Sequence, residues 1–382
     1  MTLMVRDEAD IVGAMLAHHR AQGIDHVIVT DNASVDNTLE VLESFERDGF
    51  VTIWHDPEHR KEQWRAVTRM ARHAATELGA DWVLNADADE FWVAREGFGT
   101  VRDALGRIPD DVSIFAVPVV NLTGSPARVG SGLRRLTLRD QRDPETVRTS
   151  GIPFHPTPNA VHRGSSEVSV AQGNHRAEVP GWSDSGPRDE IEVLHLPWRS
   201  WRQYEYKVRV SGEAYLSNPT LAPSPRHHGM LDFRRLNEGW LEDAYVAKHP
   251  SPAEVAAGLA DGSFREDVRL KELERDDVPG LVTDVLYEPE TATALRAEGR
   301  RVRLVELRGE EELGRVRAHH DLAVSQRDDA ERRVDVLTST IDDLRSRGLV
   351  RAAWRVDEAL RRRADRGRRI LRRCLSLLRL TK

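Results

Sequence analysis

The chain of 382 residues is 39% hydrophobic and 31% charged, long enough for one large domain with extensions or for two domains. Its single cysteine, Cys374, excludes an internal disulfide framework and a cysteine-built zinc site, and it fits a reducing compartment. A net charge of −7, no early apolar run resembling a signal peptide, and nothing near the ~20 apolar residues of a spanning helix together lead us to expect a cytoplasmic protein.

Taken in chain order, Leu3-Met4-Val5 reads as a short strand. Glu8 to Gln22 follows as a helix, with Ile11, Met15, Leu16 and His19 at helical spacing and Gly23 as its stop. His26 to Thr30 is a β-branched strand running into Asp31-Asn32, and Ser34 opens a helix with Leu39, Leu42 and Phe45 on one face. Phe50 to Trp54 is a third strand, residues 62–78 a third helix, and Trp82 to Leu84 a fourth strand. Strands and helices alternating across short links predict parallel βαβ units in a doubly wound α/β sheet. Ligands of such sheets collect beyond the carboxyl ends of the strands. Arg6-Asp7-Glu8, Asp31-Asn32 and Asp87-Ala88-Asp89-Glu90 all fall at those ends, so a site is expected there.

The last of these clusters places three carboxylates within four residues directly after an apolar run. Their mutual repulsion costs free energy unless a cation, a proton or solvent relieves it. In an extended turn Asp87 and Asp89 point to the same side. Two carboxylates so placed reach one hard cation and leave most of its shell open, which suits Mg²⁺ or Mn²⁺ when a substrate's phosphates complete the coordination. A solvated loop is the alternative, and the polar ends of the neighbouring strands favour the cation.

Further on, Val112 to Val120 and Glu190 to His195 read as strands, Trp201 to Tyr215 as a helix, and residues 231–300 as helical and charged without an interpretable motif. From Leu313 through Val316, His320, Ala323, Arg327, Ala330, Val334, Leu337 and Ile341 to Leu344 the spacing alternates between three and four. That is a heptad seam, expected to make a coiled coil and hence a homo-oligomer; a single amphipathic helix packed on the domain is the alternative. Gly348 ends it. Residues 351–382 hold 12 Arg or Lys against 3 acids, so a basic amphipathic helix over 349–382 is expected, a candidate for peripheral contact with the inner face of an anionic membrane. The rest of the chain is strongly acidic and would repel nucleic acid, so no nucleic-acid partner is expected.

The stretch MVRDEADIVGAMLAHHRAQGIDHVIVTDNASVDNT (Met4 to Thr38) resembles the opening of family 2-type glycosyltransferases of the GT-A fold. Within them it most resembles the branch related to family 92. DADEFW is similar to that branch's D-x-D-E-F, and His162 to His175 and His195 to Val208 resemble its later signatures, a G-N-H and an H-x-P-x-R-S followed by a Lys. The resemblance implies a nucleotide-sugar site in which Arg6, Glu8, Asp31, Asn32 and Gln63 join Asp87 around the donor. It implies a divalent cation, Mn²⁺ or Mg²⁺, on Asp87 and Asp89 with His195 as a distant third ligand. Arg199 and Lys207 would face the departing diphosphate, and His175 would lie near the acceptor or the metal. Glu90 is the first candidate for general base, with Glu167, Asp189 and Glu190 as rivals.

The expected organisation is a GT-A domain over 1–230, a helical extension or linker over 231–304, a coiled coil over 305–347 and the basic helix over 349–382. The expected function is metal-dependent, inverting transfer of a sugar from a nucleotide donor, UDP-linked, to a glycan or other hydroxyl acceptor in polysaccharide biosynthesis. Two rivals stand beside it. A nucleotidyltransferase uses a related sheet, but the Gly-rich loop it carries after strand one is replaced here by Arg6-Asp7-Glu8-Ala9-Asp10. A non-catalytic assembly protein would act through the coiled-coil tail.

Overall fold

A computed structural model describes residues 1–57, 63–217, 228–275, 277–346 and 348–378, and the chain falls into two compact units, Met1–Glu306 and Leu307–Lys382. Glu62, at the start of the predicted third helix, and residues 379–382, at the end of the predicted basic helix, lie outside the described residues.

The first unit opens with β1 (Thr2–Val5), α1 (Val12–Ala21), β2 (Val27–Asp31), α2 (Thr38–Arg47), β3 (Val51–His55), α3 (Gln63–Thr76) and β4 (Trp82–Ala86). The four strands pair in parallel, with Leu3 opposite Val29 and Val29 opposite Ile53. Period-two alternation divides β2 between two cores. Val27 and Val29 join Leu3, Ile11, Met15 and Leu42 on one face, whereas Ile28 joins Val67, Met70 and Ala71 of α3 on the other. A sheet buried on both faces explains the near-continuous apolar runs, and truncating a residue such as Leu3 to Ala would cost ~2–5 kcal/mol.

Two local departures from the sequence reading shape the site. Helix α1 begins at Val12, later than Glu8, because Asp7 sits at φ 55 and the amides of Ile11 and Val12 both return to the Glu8 carbonyl. The acids before it are thereby left on a loop. After β4 the chain is not extended: the Glu90 amide closes on the Asp87 carbonyl at 3.1 Å, and β5 (Glu90–Ala94) starts at once in a second sheet.

Helix α4 (Val101–Leu105) follows, and the strand expected over Val112 to Val120 is divided into β6 (Ile114–Val117) and β7 (Val119–Thr123). Pro118 stands at the break, where it has no N–H to give a ladder. Then come β8 (Ala127–Val129), β9 (Leu138–Asp140), α5 (Pro144–Thr149), β10 (Asn159–Arg163), the small hairpin of β11 (Ser169–Val170) and β12 (Ala177–Glu178), β13 (Asp184–Pro187) and β14 (Ile191–His195). Helices α6 (Trp201–Ser217), α7 (His228–Glu238), α8 (Leu241–Lys248) and α9 (Pro252–Asp261) precede β15 (Phe264–Glu266), β16 (Val285–Leu286) and α10 (Pro289–Ser346).

The main sheet runs β13-β6-β10-β4-β1-β2-β3, with β10 antiparallel to β4, and the second sheet runs β15-β9-β7-β14-β5. Residues 231–304 pack into the first unit. Tyr204 and Val208 of α6 share a buried cluster with Phe233, Leu241, Tyr245 and Ala292, and the buried Arg296 donates to the His249 carbonyl. A later segment also covers the start of α1. A Cβ added to Gly13 would stand 2.2 Å from the Pro279 carbonyl oxygen, so only glycine admits that approach.

The second unit is helical: α10 continues to Ser346 and α11 (Gly348–Leu378) follows. Its seam is open to solvent, with Leu313 at 46%, Val334 at 60%, Leu337 at 61% and Ile341 at 48% exposure. No helix among the described residues is long and apolar enough to cross a membrane.

Candidate active site

The carboxyl ends of β1, β4 and β14 bring their polar residues to one place, and Arg199 is its centre. Its guanidinium is wholly buried. Nε and Nη2 donate to the two Asp10 carboxylate oxygens at 3.0 Å, Nη2 also reaches Glu8 Oε2 at 2.5 Å, and Nη1 lies 3.5 Å from Asp89 Oδ2. Lys207, nearly two turns into α6 and half exposed, lies 3.2 Å from Asp89 Oδ2 and 3.5 Å from Glu8 Oε1. Burial of the Asp89 carboxyl opposes its charge, but Lys207 and His195 outweigh that and hold it well below the usual carboxylate range. Burial likewise works against the Lys207 ammonium, and Asp89 and Glu8 overcome it, so the amine is held above its ordinary value.

His195 ends β14. Its Nδ1 sits 2.9 Å from Asn121 Oδ1, which can only accept, so Nδ1 carries the hydrogen and Nε2 turns to Asp89 Oδ1 at 3.6 Å. Register explains the pairing: β14 runs parallel to β7, with His195 opposite Asn121. Burial depresses the imidazolium, and the bond and charge of Asp89 reverse this, leaving the His195 pKa raised.

Asp87 has a different environment. Gln63 Nε2 and Asn174 Nδ2 donate to its Oδ1 at 2.9 and 3.1 Å, and no cation pairs with it among the described residues. Burial and then the Asp89 charge push its pKa up. Glu90 turns elsewhere: its Oε2 accepts from the Asp87 amide and from Asn159 Nδ2 at 2.8 Å, and burial, then Asp87, push it up to about 8. Asn159 Oδ1 in turn meets His175 Nδ1 at 3.1 Å. Glu90 thus braces the turn that presents Asp87 and Asp89. Its three sequence rivals are farther off, with Glu167 exposed, Asp189 paired to Arg95 and Glu190 to Arg188.

The rim at β1 and β2 is stitched by side chains. Arg6 Nη1 donates to the Asn32 carbonyl, Asp31 accepts from the Ser34 amide, and Asn32 Nδ2 donates to the Asp56 carbonyl. Asp7 accepts from the Val35 amide and from the Tyr206 hydroxyl, both at 2.7 Å, which ties α6 to both loops. Of the residues singled out in sequence, Glu8, Asp89, His195, Arg199 and Lys207 form one cluster. Asp87 and Gln63 join each other beside it, and Arg6, Asp31 and Asn32 form the rim. Sequence reading passed over Asp10, Asn121, Asn159 and Tyr206. Asp10 was the one with a signal, as a further acid on the same loop.

A cavity of about 340 Å³ opens on Asp87, Asp89, His195 and Lys207 and extends past Trp198 and Phe154 to Lys248. Among the described residues no three His, Cys, Asp or Glu side chains are already gathered as an ion-binding group. The donor set is nonetheless chemically suited to a divalent cation. Asp87 has no ion-pair partner among the described residues, Lys207 and His195 acting on it only through their charge, and His195 offers Nε2 with Nδ1 anchored on Asn121, the outer-shell arrangement of a ligating histidine.

Comparison with known proteins bears on the same region. Residues 2–121 match the model of glycosyltransferase family 92. No curated protein matches the chain. Solved structures similar to it include residues 1–349 of TarS from S. aureus, at 12% identity and TM-score 0.33, covering 81% of this chain and 90% of that one. The same TarS fragment in complex with UDP-GlcNAc gives 10% identity and TM-score 0.35, covering 81% and 91%. A putative glucose-1-phosphate thymidylyltransferase from Bacillus anthracis gives 11% identity and TM-score 0.24, covering 62% and 82%. Scores this low carry no argument about this chain, and the weight rests on the family match. Residues 2–121, which hold β1 to β6 and with them Asp87 and Asp89, match that family's model, and the chain is a glycosyltransferase.

Proposed function

We propose that the chain transfers a sugar from a uridine diphosphate donor to a hydroxyl acceptor, with a divalent cation and with inversion by single displacement. The observation that carries this is the pairing of an under-neutralised acid, Asp87, with a cation-rich neighbour, Asp89, at the end of one strand. Asp87, Asp89 and His195 would hold Mn²⁺ or Mg²⁺. The bound ion would supply Lewis-acid relief of charge on the leaving diphosphate. Arg199 and Lys207 act on the same charge. Lys207 is the mobile one: half exposed on α6, it can leave Asp89 for a phosphate oxygen, whereas buried Arg199 keeps Glu8 and Asp10 in place. Gln63 and Asn174 orient Asp87, and Glu90 keeps the turn closed. The rim of Arg6, Asp31 and Asn32 is suited to a base and ribose, since carboxylate and amide groups match a uracil N–H and ribose hydroxyls.

In the second unit the exposed seam supports a coiled coil between copies of the chain, and the arginine-rich α11 supports peripheral contact with an anionic membrane. The deciding experiment for the donor is a thermal-shift screen of nucleotide sugars with and without Mn²⁺. A uridine diphosphate sugar at ~100 times its Kd should add about 2.7 kcal/mol of stability, and only with the ion present. Stabilisation by another nucleotide, or one indifferent to metal, refutes the corresponding part.

A further inference from the structure

The cavity is also lined by a charge that the donor reading does not use. Lys248, the last residue of α8, is 2% exposed. Its ammonium donates to the Gly151 carbonyl at 3.2 Å and lies 5.9 and 5.6 Å from the Trp198 and Tyr204 rings. Gly151 adopts φ 89, a left-handed conformation that favours glycine. Lys248 shares its two nearby acids with other cations: Asp232, whose charge also acts on Lys248, pairs with Arg235 at 2.6 Å, and Glu306 pairs with Arg235 and Arg303 at 2.5 and 3.1 Å. No carboxylate pairs with Lys248 among the described residues, and burial lowers its pKa to about 8. The cavity wall beside it is aromatic, with Trp198 half-buried and Phe154 at 59% exposure on the mouth.

A buried ammonium without an ion-pair partner of its own, lining a ligand-sized cleft with flat apolar walls, is a recognition element for an anion carried on a sugar. We propose that the acceptor is an anionic saccharide whose carboxylate or phosphate seats on Lys248 while its ring rests on Trp198 and Phe154. This rests on the glycosyltransferase reading of the adjoining strand-end cluster, toward which the acceptor hydroxyl would then point.

The test titrates the full chain with methyl glucuronide, glucose 6-phosphate and methyl glucoside, by calorimetry or ligand-observed NMR. The charged probes should bind about tenfold or more tighter than the neutral one, the value of a charge-assisted hydrogen bond. Which of the two anions binds tighter separates a uronate from a phosphate source. Lys248→Met should erase the preference, and Phe154→Ala should weaken all three while preserving it. Equal binding of the three probes, no binding of any, or a preference that survives in folded Lys248→Met protein overturns the inference. Should Lys248→Met not fold, the wild-type comparison decides alone. UDP binding is read on the same samples. Anion preference without UDP binding keeps this subsite and sinks the donor reading, while UDP binding without the preference does the reverse.

Discussion

The strand-end cluster and the helical tail treat their awkward groups in opposite ways. Around Arg199 the chain buries acids and bases together, and nearly every charge finds its partner within the first unit. Along α10 and α11 the described apolar residues of the seam are exposed. The first region is internally paired but for Asp87, which has no ion-pair partner among the described residues. The second leaves apolar side chains in solvent. On the proposed reading a cation and a diphosphate would complete the first, and an apolar helix or a lipid surface the second.

The largest effect expected is on the buried centre. Arg199→Met leaves Glu8 and Asp10 without their shared cation and should cost ~3–5 kcal/mol of stability, measured by urea unfolding, along with all transfer. A mutant as stable as wild type would break the claim that the cluster is internally compensated.

Next comes Asp89→Asn, expected to lower kcat by about 10²–10³-fold while the fold persists, checked by steady-state kinetics beside circular dichroism. Asp87→Asn should act mainly on metal affinity, because Asp87 has no cation to strand. If the two variants behave alike, the contrast between these acids is wrong.

The pH dependence sharpens the same point. His195 has a folded-state pKa above its ordinary 6.5, so its ion pair with Asp89 stabilises the metal-free protein at lower pH and is lost as pH rises through the raised value. The melting temperature without metal should therefore fall over that range. Mn²⁺ affinity should climb over the same interval as Nε2 gives up its proton. In His195→Asn both slopes should flatten.

For the tail, Leu337→Asp with Ile341→Asp should convert an oligomer to monomer in sedimentation experiments, with the first unit's stability changed by less than ~0.5 kcal/mol. A wild-type monomer at micromolar concentration removes the coiled coil. The smallest effect belongs to Tyr206→Phe, which deletes one hydrogen bond to Asp7 worth about 1 kcal/mol. Its signature is a rise of a few-fold in KM for the donor with little change in kcat.

Much of the architecture is legible in one dimension because it is local. The apolar runs of β1 to β4 and the helical spacing between them determine a parallel sheet, and a parallel sheet determines which ends hold the site. Asp87, Asp89, His195, Arg199 and Lys207 were all found that way or through the motifs they belong to. Pairing across sequence distance was not legible. The positions of Asn121 opposite His195, Asn159 under Glu90 and Lys248 on the cavity wall depend on register and on helices more than 40 residues from the site strands. The turn at 87–89 shows the limit most sharply. Alternation alone points both aspartates one way, but β5 leaves for a second sheet, and the two carboxylates meet different partners. Sequence by itself determined the kinds of charge and the strand ends that carry them. Only tertiary packing decided which charges neutralise one another, because that depends on Coulomb distances that the folded chain alone sets.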